Sequence, residues 1–148
     1  QLAKEKEVDV FPYMLIGHEK GKSIEFMGAP LGYEARSLIE AVKMVSTGKP
    51  SISEKGIEKV KEIEDETTIH VFVTPTCPYC PGSVILAHGM AMVNDKVRGI
   101  CVEAMEAKEL SDKYNVSSVP QQVINLNENR VSVGAQPEMK FISEILNG

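Results

Sequence analysis

Ile69-His70-Val71-Phe72-Val73 is an apolar, β-rich run, and it predicts a strand over residues 68–74. The period then changes. Val84, Ile85, His88, Ala91 and Met92 recur at helical spacing and predict a helix over about residues 78–93. A strand near 97–103 and a helix over about 108–114 follow, then strands over 121–126 and 130–133 joined through Asn127-Glu128-Asn129. A last helix starts near Pro137, with its stripe at Phe141, Ile142, Ile145 and Leu146. The order β-α-β-α-β-β-α mixes a parallel crossover with an antiparallel hairpin, so the expected class is α/β, one sheet with helices on both faces.

The pattern occurs a second time, in part. Residues 8–16 match residues 116–124 without a gap, and residues 24–29 match 130–135 after a turn two residues longer in the first copy. Each copy then passes a proline, Pro30 or Pro137, into a helix, the first with a stripe at Leu38, Ile39, Val42 and Val45. The repeated unit is strand, turn, strand, glycine, helix. Between the copies, Thr47-Gly48-Lys49-Pro50 forms a link and residues 51–66 predict a short amphipathic helix. Ser51 and Glu54 have capping-box spacing, and Ile57, Val60 and Ile63 form its apolar face. Gly56 weakens that helix by about 1 kcal/mol against alanine. The Glu/Lys run here reads as a solvated face.

A chain of 148 residues, 43% hydrophobic and 25% charged, has globular values and room for a real core. Its net charge of −5, with no Lys/Arg block, points away from nucleic acid, and no run of 18 apolar residues offers a membrane span. Three cysteines, two of them in one CxxC, suit a redox or metal pair in a reducing compartment, and the expected location is cytoplasmic. The chain begins at Gln1, and residues 1–7 look like the end of a helix whose start is absent.

The chemistry centres on Thr74-Pro75-Thr76-Cys77-Pro78-Tyr79-Cys80-Pro81, set where a strand ends and a helix begins. A helix N-terminus has unpaired N–H groups and the positive end of the macrodipole, so a thiolate at Cys77 is stabilised. Such settings bring cysteine pKa values to roughly 3.5–7.5. Pro78 is expected at the first helical position, and Cys80 within the first turn, more buried and able to attack a mixed disulfide on Cys77. The competing reading is half a zinc site. It needs four ligands, and only Cys101 and three separated histidines are on offer, so no metal is expected.

With CxxC after one strand and Val119-Pro120 before another, the chain resembles a thioredoxin fold, and the dipeptide between the cysteines is that of glutaredoxins. The tandem arrangement resembles the two-unit protein disulfide oxidoreductases. The likeness corresponds to their C-terminal portion: one complete unit preceded by the C-terminal half of a second. The resulting division is 1–50 as an incomplete unit, 51–66 as a linker helix and 67–148 as a complete domain. Gly28-Ala29-Pro30-Leu31-Gly32-Tyr33-Glu34 with Gly48-Lys49-Pro50-Ser51 also resembles the N-terminal domain of the flavoprotein subunit of alkyl hydroperoxide reductase, an electron relay to a peroxiredoxin.

These resemblances imply thiol–disulfide exchange through Cys77 and Cys80 with no cofactor beyond that redox-active disulfide. They imply protein disulfide or dithiol substrates and a thioredoxin reductase-like or flavoprotein electron donor. Val119-Pro120 is implied to be cis and to face the cysteines, with Pro78, Tyr79, Val119 and Pro120 touching substrate. Pro12 holds the matching place in the first copy, with no cysteine opposite. Glu103 is the candidate proton acceptor for Cys80, because the usual acid before CxxC is replaced by an apolar residue near Val71. The region Val133-Gly134-Ala135-Gln136-Pro137 departs from the glutathione-binding turn of glutaredoxins. His88, Cys101 and the methionines Met90, Met92 and Met105 read as core or rim residues. The absent strands of the first copy leave a sheet edge, to be covered by a further N-terminal segment, a swapped chain or a dimer. A non-catalytic docking module is the rival class.

Overall fold

In the computed structural model, residues 12–148 are described; the expected helix end over residues 1–7 and the part of the first copy at residues 8–11 lie outside them. The first copy forms β1 (Tyr13–Ile16), β2 (Ile24–Met27) and α1 (Ala35–Thr47), followed by α2 (Glu54–Val60). The rest forms β3 (Thr67–Val73), α3 (Cys80–Val93), β4 (Val97–Glu103), α4 (Lys108–Lys113), β5 (Gln121–Ile124), β6 (Val131–Val133) and α5 (Glu138–Leu146). Six strands make one sheet in the order β1-β2-β4-β3-β5-β6. The two copies are therefore joined by hydrogen bonds. The parallel pair β2/β4 aligns Phe26 with Cys101, and the parallel pair β3/β4 aligns Val71 with the same cysteine. Hairpins β1/β2 and β5/β6 are antiparallel, as is β3/β5.

The repeat seen in the sequence is a repeat of structure. Gly28 N–H donates to Pro12 O at 2.8 Å, and Gly134 N–H donates to Pro120 O at the same distance. Tyr13 pairs with Met27 where Gln121 pairs with Val133. Among the described residues β1 forms one edge of the sheet and β6 the other.

Alternation along the strands sends side chains to two unequal cores. On one face Phe26, Val71, Val73 and Cys101 pack with Met44 of α1, Met90 of α3 and Phe141 of α5. On the other, Phe72, Ile100, Val102 and Val123 pack with Tyr114 and Leu110 at α4. Full burial of side chains such as Phe72 or Phe141 stabilises by about 1.5–3 kcal/mol each.

Several sequence expectations shift. The buried face of α1 is Ser37, Ala41 and Met44, flanked by Leu38 and Val45, whereas Ile39 and Val42 are 66% and 51% exposed. The polar Ser37 can turn inward because its hydroxyl donates to Glu34 Oε1 at 2.7 Å. The cap of α2 is Ser53, whose Oγ accepts from Gly56 N–H, not Ser51, and the helix stops at Val60 before Ile63. Strand β5 ends at Ile124 because Asn125 and Leu126 take left-handed φ values of 55° and 49°. Met90 and Met92 are buried as expected, but Met105 is 76% exposed.

Candidate functional site

Strand β3 delivers the chain to a loop at its carboxyl end, where Cys77 N–H donates to Thr74 O at 3.3 Å. Helix α3 begins at Cys80, so Pro78 lies ahead of the helix and Pro81 is the proline of its first turn. The expected place of Pro78 at the first helical position is thus corrected: the helix starts two residues later. A proline after the second cysteine does the pre-organising, since its missing N–H is one the first turn would leave unpaired anyway. Cys77 and Cys80 are joined as a disulfide with Cα atoms 5.5 Å apart. Cys77 keeps 9% exposure and Cys80 none, while Tyr79 between them is 73% exposed. Of the two cysteines, Cys77 is the less buried.

Val119-Pro120 is a cis peptide, with Pro120 buried, and Val119 O lies 3.9 Å from Cys77 Sγ. A groove beside it is lined by Thr74, Met105, Ser117 and Val119 and runs toward Lys108 and Asp112 of α4. The sequence candidates Cys77, Cys80, Val119 and Pro120 therefore meet at one end of the sheet, with Pro78 and Tyr79 in the loop above them.

The first copy reaches into this site through the turn Gly32–Glu34. Tyr33 N–H donates to Pro75 O at 3.0 Å, and Gly32, at φ 58°, lies so close that a Cβ there would run into the same carbonyl. This turn packs on α3 and buries Glu34, 1% exposed, beside Cys101 of β4. Glu34 Oε1 accepts from Ser37 Oγ and, at 3.8 Å, from Cys101 Sγ. Its Oε2 is buried with no partner among the described residues. Burial pushes the Glu34 carboxyl up to about 6, against the pull of the Ser37 and Cys101 hydrogen bonds and of Arg36. Cys101 belongs to the same buried cluster as Cys77 and Cys80.

Glu103, the acid singled out in the sequence, sits two residues further along β4 and is 6% exposed. Its Oε2 accepts from Glu106 N–H at 2.7 Å, closing the β4–α4 turn, while Oε1 is buried without a partner among the described residues. Sequence reasoning missed Glu34. The visible signal was a carboxylate three residues before a serine at a helix start; what placed it beside Cys101 was the β2/β4 pairing, which no periodicity reveals.

Other buried polar groups serve the sheet. Glu25 takes both Nε and Nη2 of Arg98, at 2.7 and 2.9 Å, and the Tyr13 hydroxyl at 2.7 Å. Burial and that carboxylate hold Tyr13 well above the usual phenol range. His88 is fully buried on the CxxC helix with Nε2 3.2 Å from Glu25 O, the packed histidine expected from its place on the apolar stripe. Among the described residues no group of three or more His, Cys, Asp and Glu could hold a metal ion, and no helix is long and apolar enough to cross a membrane.

A strand, a CxxC at the start of a helix and a cis-proline loop facing the outer cysteine define a thioredoxin fold carrying a dithiol–disulfide centre. The chain belongs to the thioredoxin domain family, which residues 67–147 match. It is similar in structure to a protein disulfide oxidoreductase from Aeropyrum pernix K1, with 31% identity and a TM-score of 0.82 over 97% of this chain and 62% of that one. It is also similar to the alkyl hydroperoxide reductase AhpF of Enterococcus faecalis, at 26% identity and a TM-score of 0.83 over 97% of this chain and 69% of that one. In sequence it is 30% identical over 112 residues, 76% of this chain, to the alkyl hydroperoxide reductase AhpF of Staphylococcus aureus. The chain spans 21% of the length of that curated relative. Both resemblances read from the motifs are thereby found in the fold as well.

Proposed function

We propose that this chain is a protein dithiol–disulfide oxidoreductase in which Cys77 exchanges with the partner and Cys80 resolves. The observation that carries this is the unequal burial of a paired CxxC, Cys77 keeping 9% exposure and Cys80 none. In the reducing direction the Cys77 thiolate attacks a substrate disulfide. A bond forms from Cys77 Sγ to one substrate sulfur, and the other leaves with the electron pair. Cys80 then loses its proton, its thiolate attacks Cys77 Sγ, and the second substrate sulfur departs as thiolate. Two electrons have passed to the substrate, and the cysteine pair is oxidised with no further cofactor.

Glu34 is the acceptor for the Cys80 proton. It lies in a turn that is bonded to the CxxC loop and packs on the helix that Cys80 opens, and it presents an unpartnered oxygen. Glu103 remains the alternative acceptor, because its Oε1 is also buried and unpartnered. In this reading residues 67–148 carry the exchange, residues 51–66 link, and residues 1–50 supply the acid. Pro78, Tyr79, Val119 and Pro120 contact the substrate. A flavoprotein reductase in the cytoplasm returns the pair to the dithiol. The likeness to the alkyl hydroperoxide reductases favours a second reading of the same chemistry, an electron relay between a flavin module and a peroxiredoxin.

Cys77→Ser should abolish reduction of insulin disulfides, and Cys80→Ser should accumulate a mixed disulfide visible by intact mass. Turnover like the wild type in both variants ends the proposal.

A further inference from the structure

Cys101 takes no part in the exchange, yet it is the one thiol placed against the acid that does. It lies on β4 between Val71 of β3 and Phe26 of β2, and it is 3% exposed. Its Sγ is 3.8 Å from Glu34 Oε1, the oxygen that already takes the Ser37 hydroxyl at 2.7 Å. Both donors converge on one oxygen and leave Oε2 bare. We propose that Cys101 is a positioning residue: its S–H donates to Glu34 Oε1, fixes which carboxylate oxygen stays open, and sets the pH at which that acid can take a proton. The inference rests on the reading of Glu34 as acceptor.

The surroundings allow a thiol to do this. Burial, followed by the nearby Glu34 and Glu103 carboxyls, pushes the Cys101 thiol well up, so it stays S–H and remains a donor. The charged and titratable groups that act on Glu34 are Arg36 on α1 and Cys101 on β4, and Glu103, two residues further along β4, acts on Cys101. Of these, Arg36 and the Cys101 hydrogen bond favour the carboxylate. Without the thiol the carboxylate loses one of its two hydrogen-bond donors, and protonation becomes easier.

The test follows Glu34 directly by carbon-detected NMR titration of its carboxyl, beside the pH profile of mixed-disulfide resolution. Cys101→Ala should raise the Glu34 midpoint by about half a unit, a threefold change, and move the acid limb of resolution with it. Cys101→Ser, which keeps a donor, should restore both. A Glu34 midpoint unmoved in Cys101→Ala overturns the role of Cys101 even where Glu34→Gln still slows resolution. Unchanged resolution in Glu34→Gln overturns the acceptor reading alone, because the titration still reports whether the thiol donates. One measurement needs no substitution: the Cys101 S–H stretch in the wild type should fall in frequency as Glu34 ionises between about pH 5 and about pH 7. A constant frequency across that interval also overturns the proposal.

Discussion

The two hairpin–glycine–helix copies share a backbone and differ in what they do with a carboxylate. In the first, the segment after Gly28 turns across the neighbouring loop and buries Glu34 beside Cys101. In the second, the segment after Gly134 runs straight into α5, whose first residue, Glu138, accepts from Ser53 N–H at 3.0 Å and from Ser53 Oγ. One acid ends buried beside Cys101; the other ties the linker helix to the C-terminal helix. The difference follows from position in the sheet. Strand β2 pairs with β4 inside the sheet, so whatever follows it must cross the CxxC end, whereas β6 lies at an edge. In the proposed reading the same supersecondary unit supplies the acid in one place and is a brace in the other.

The largest expected effect separates the buried acid of the first copy from the buried bases of the cysteine-bearing part. Burial pulls both His70 and His88 down to about 4. Each contributes stability that is fully present above the unfolded value of 6.5 and is lost as pH falls toward about 4, about 3 kcal/mol apiece. Glu34 has the opposite sign: raised from 4.5 to about 6, it adds stability that is complete below 4.5 and gone above about 6. Two histidines outweigh one carboxyl, so urea unfolding should show a net loss between pH 6.5 and 4.5. His88→Leu should flatten that slope, and Glu34→Gln should steepen it. A slope unchanged by both would mean that these groups are solvated in the native state.

Smaller is the contrast between the two turn glycines. Gly28 and Gly134 have φ values of 94° and 89°, so alanine is strained by about 1 kcal/mol or more at either. A Cβ at Gly28 would also lie 2.7 Å from Glu103 Cβ, whereas at Gly134 nothing stands within 4 Å. Overpacking should make Gly28→Ala about 2 kcal/mol more costly than Gly134→Ala in chemical denaturation. Equal losses would show that the β4–α4 turn yields freely, and the tight junction of the first copy with the site would be wrong.

Much of this was legible in the chain. Local patterns were enough for the complete unit: the apolar run at Ile69–Val73, the helical spacing from Val84, the CxxC and the repeated glycine–helix junction all report short-range order. The errors came where long-range packing decided. The face of α1 is rotated because Ser37 is satisfied by Glu34, which hydropathy treats as a reason to stay outside. Pro78 and Pro81 look alike in sequence, and only the start of the helix at Cys80 tells which proline lies within its first turn. The sequence points to an acid on the strand before CxxC, which is apolar near Val71, and then to Glu103. A residue as far ahead of Cys77 as Glu34 enters the site only through the β2/β4 register.

The last contrast sets the two carboxylates against each other. Positioned proton transfer is worth about a hundredfold or more in enzymes generally, and with Glu103 left as the alternative acceptor Glu34→Gln should slow resolution by about tenfold at neutral pH. The substitution keeps the shape and the Ser37 contact and removes only the proton affinity. Glu138→Ala should leave resolution unchanged and cost about 1 kcal/mol of stability, the loss of a helix-cap partner. Glu103→Gln belongs in the same series: a tenfold loss there with none at Glu34 would move the acceptor to β4 and reduce the first copy to a brace like the second. Equal slowing in Glu34→Gln and Glu138→Ala would have another meaning, since the two acids share no contact and could then act only through the stability of the sheet they both support.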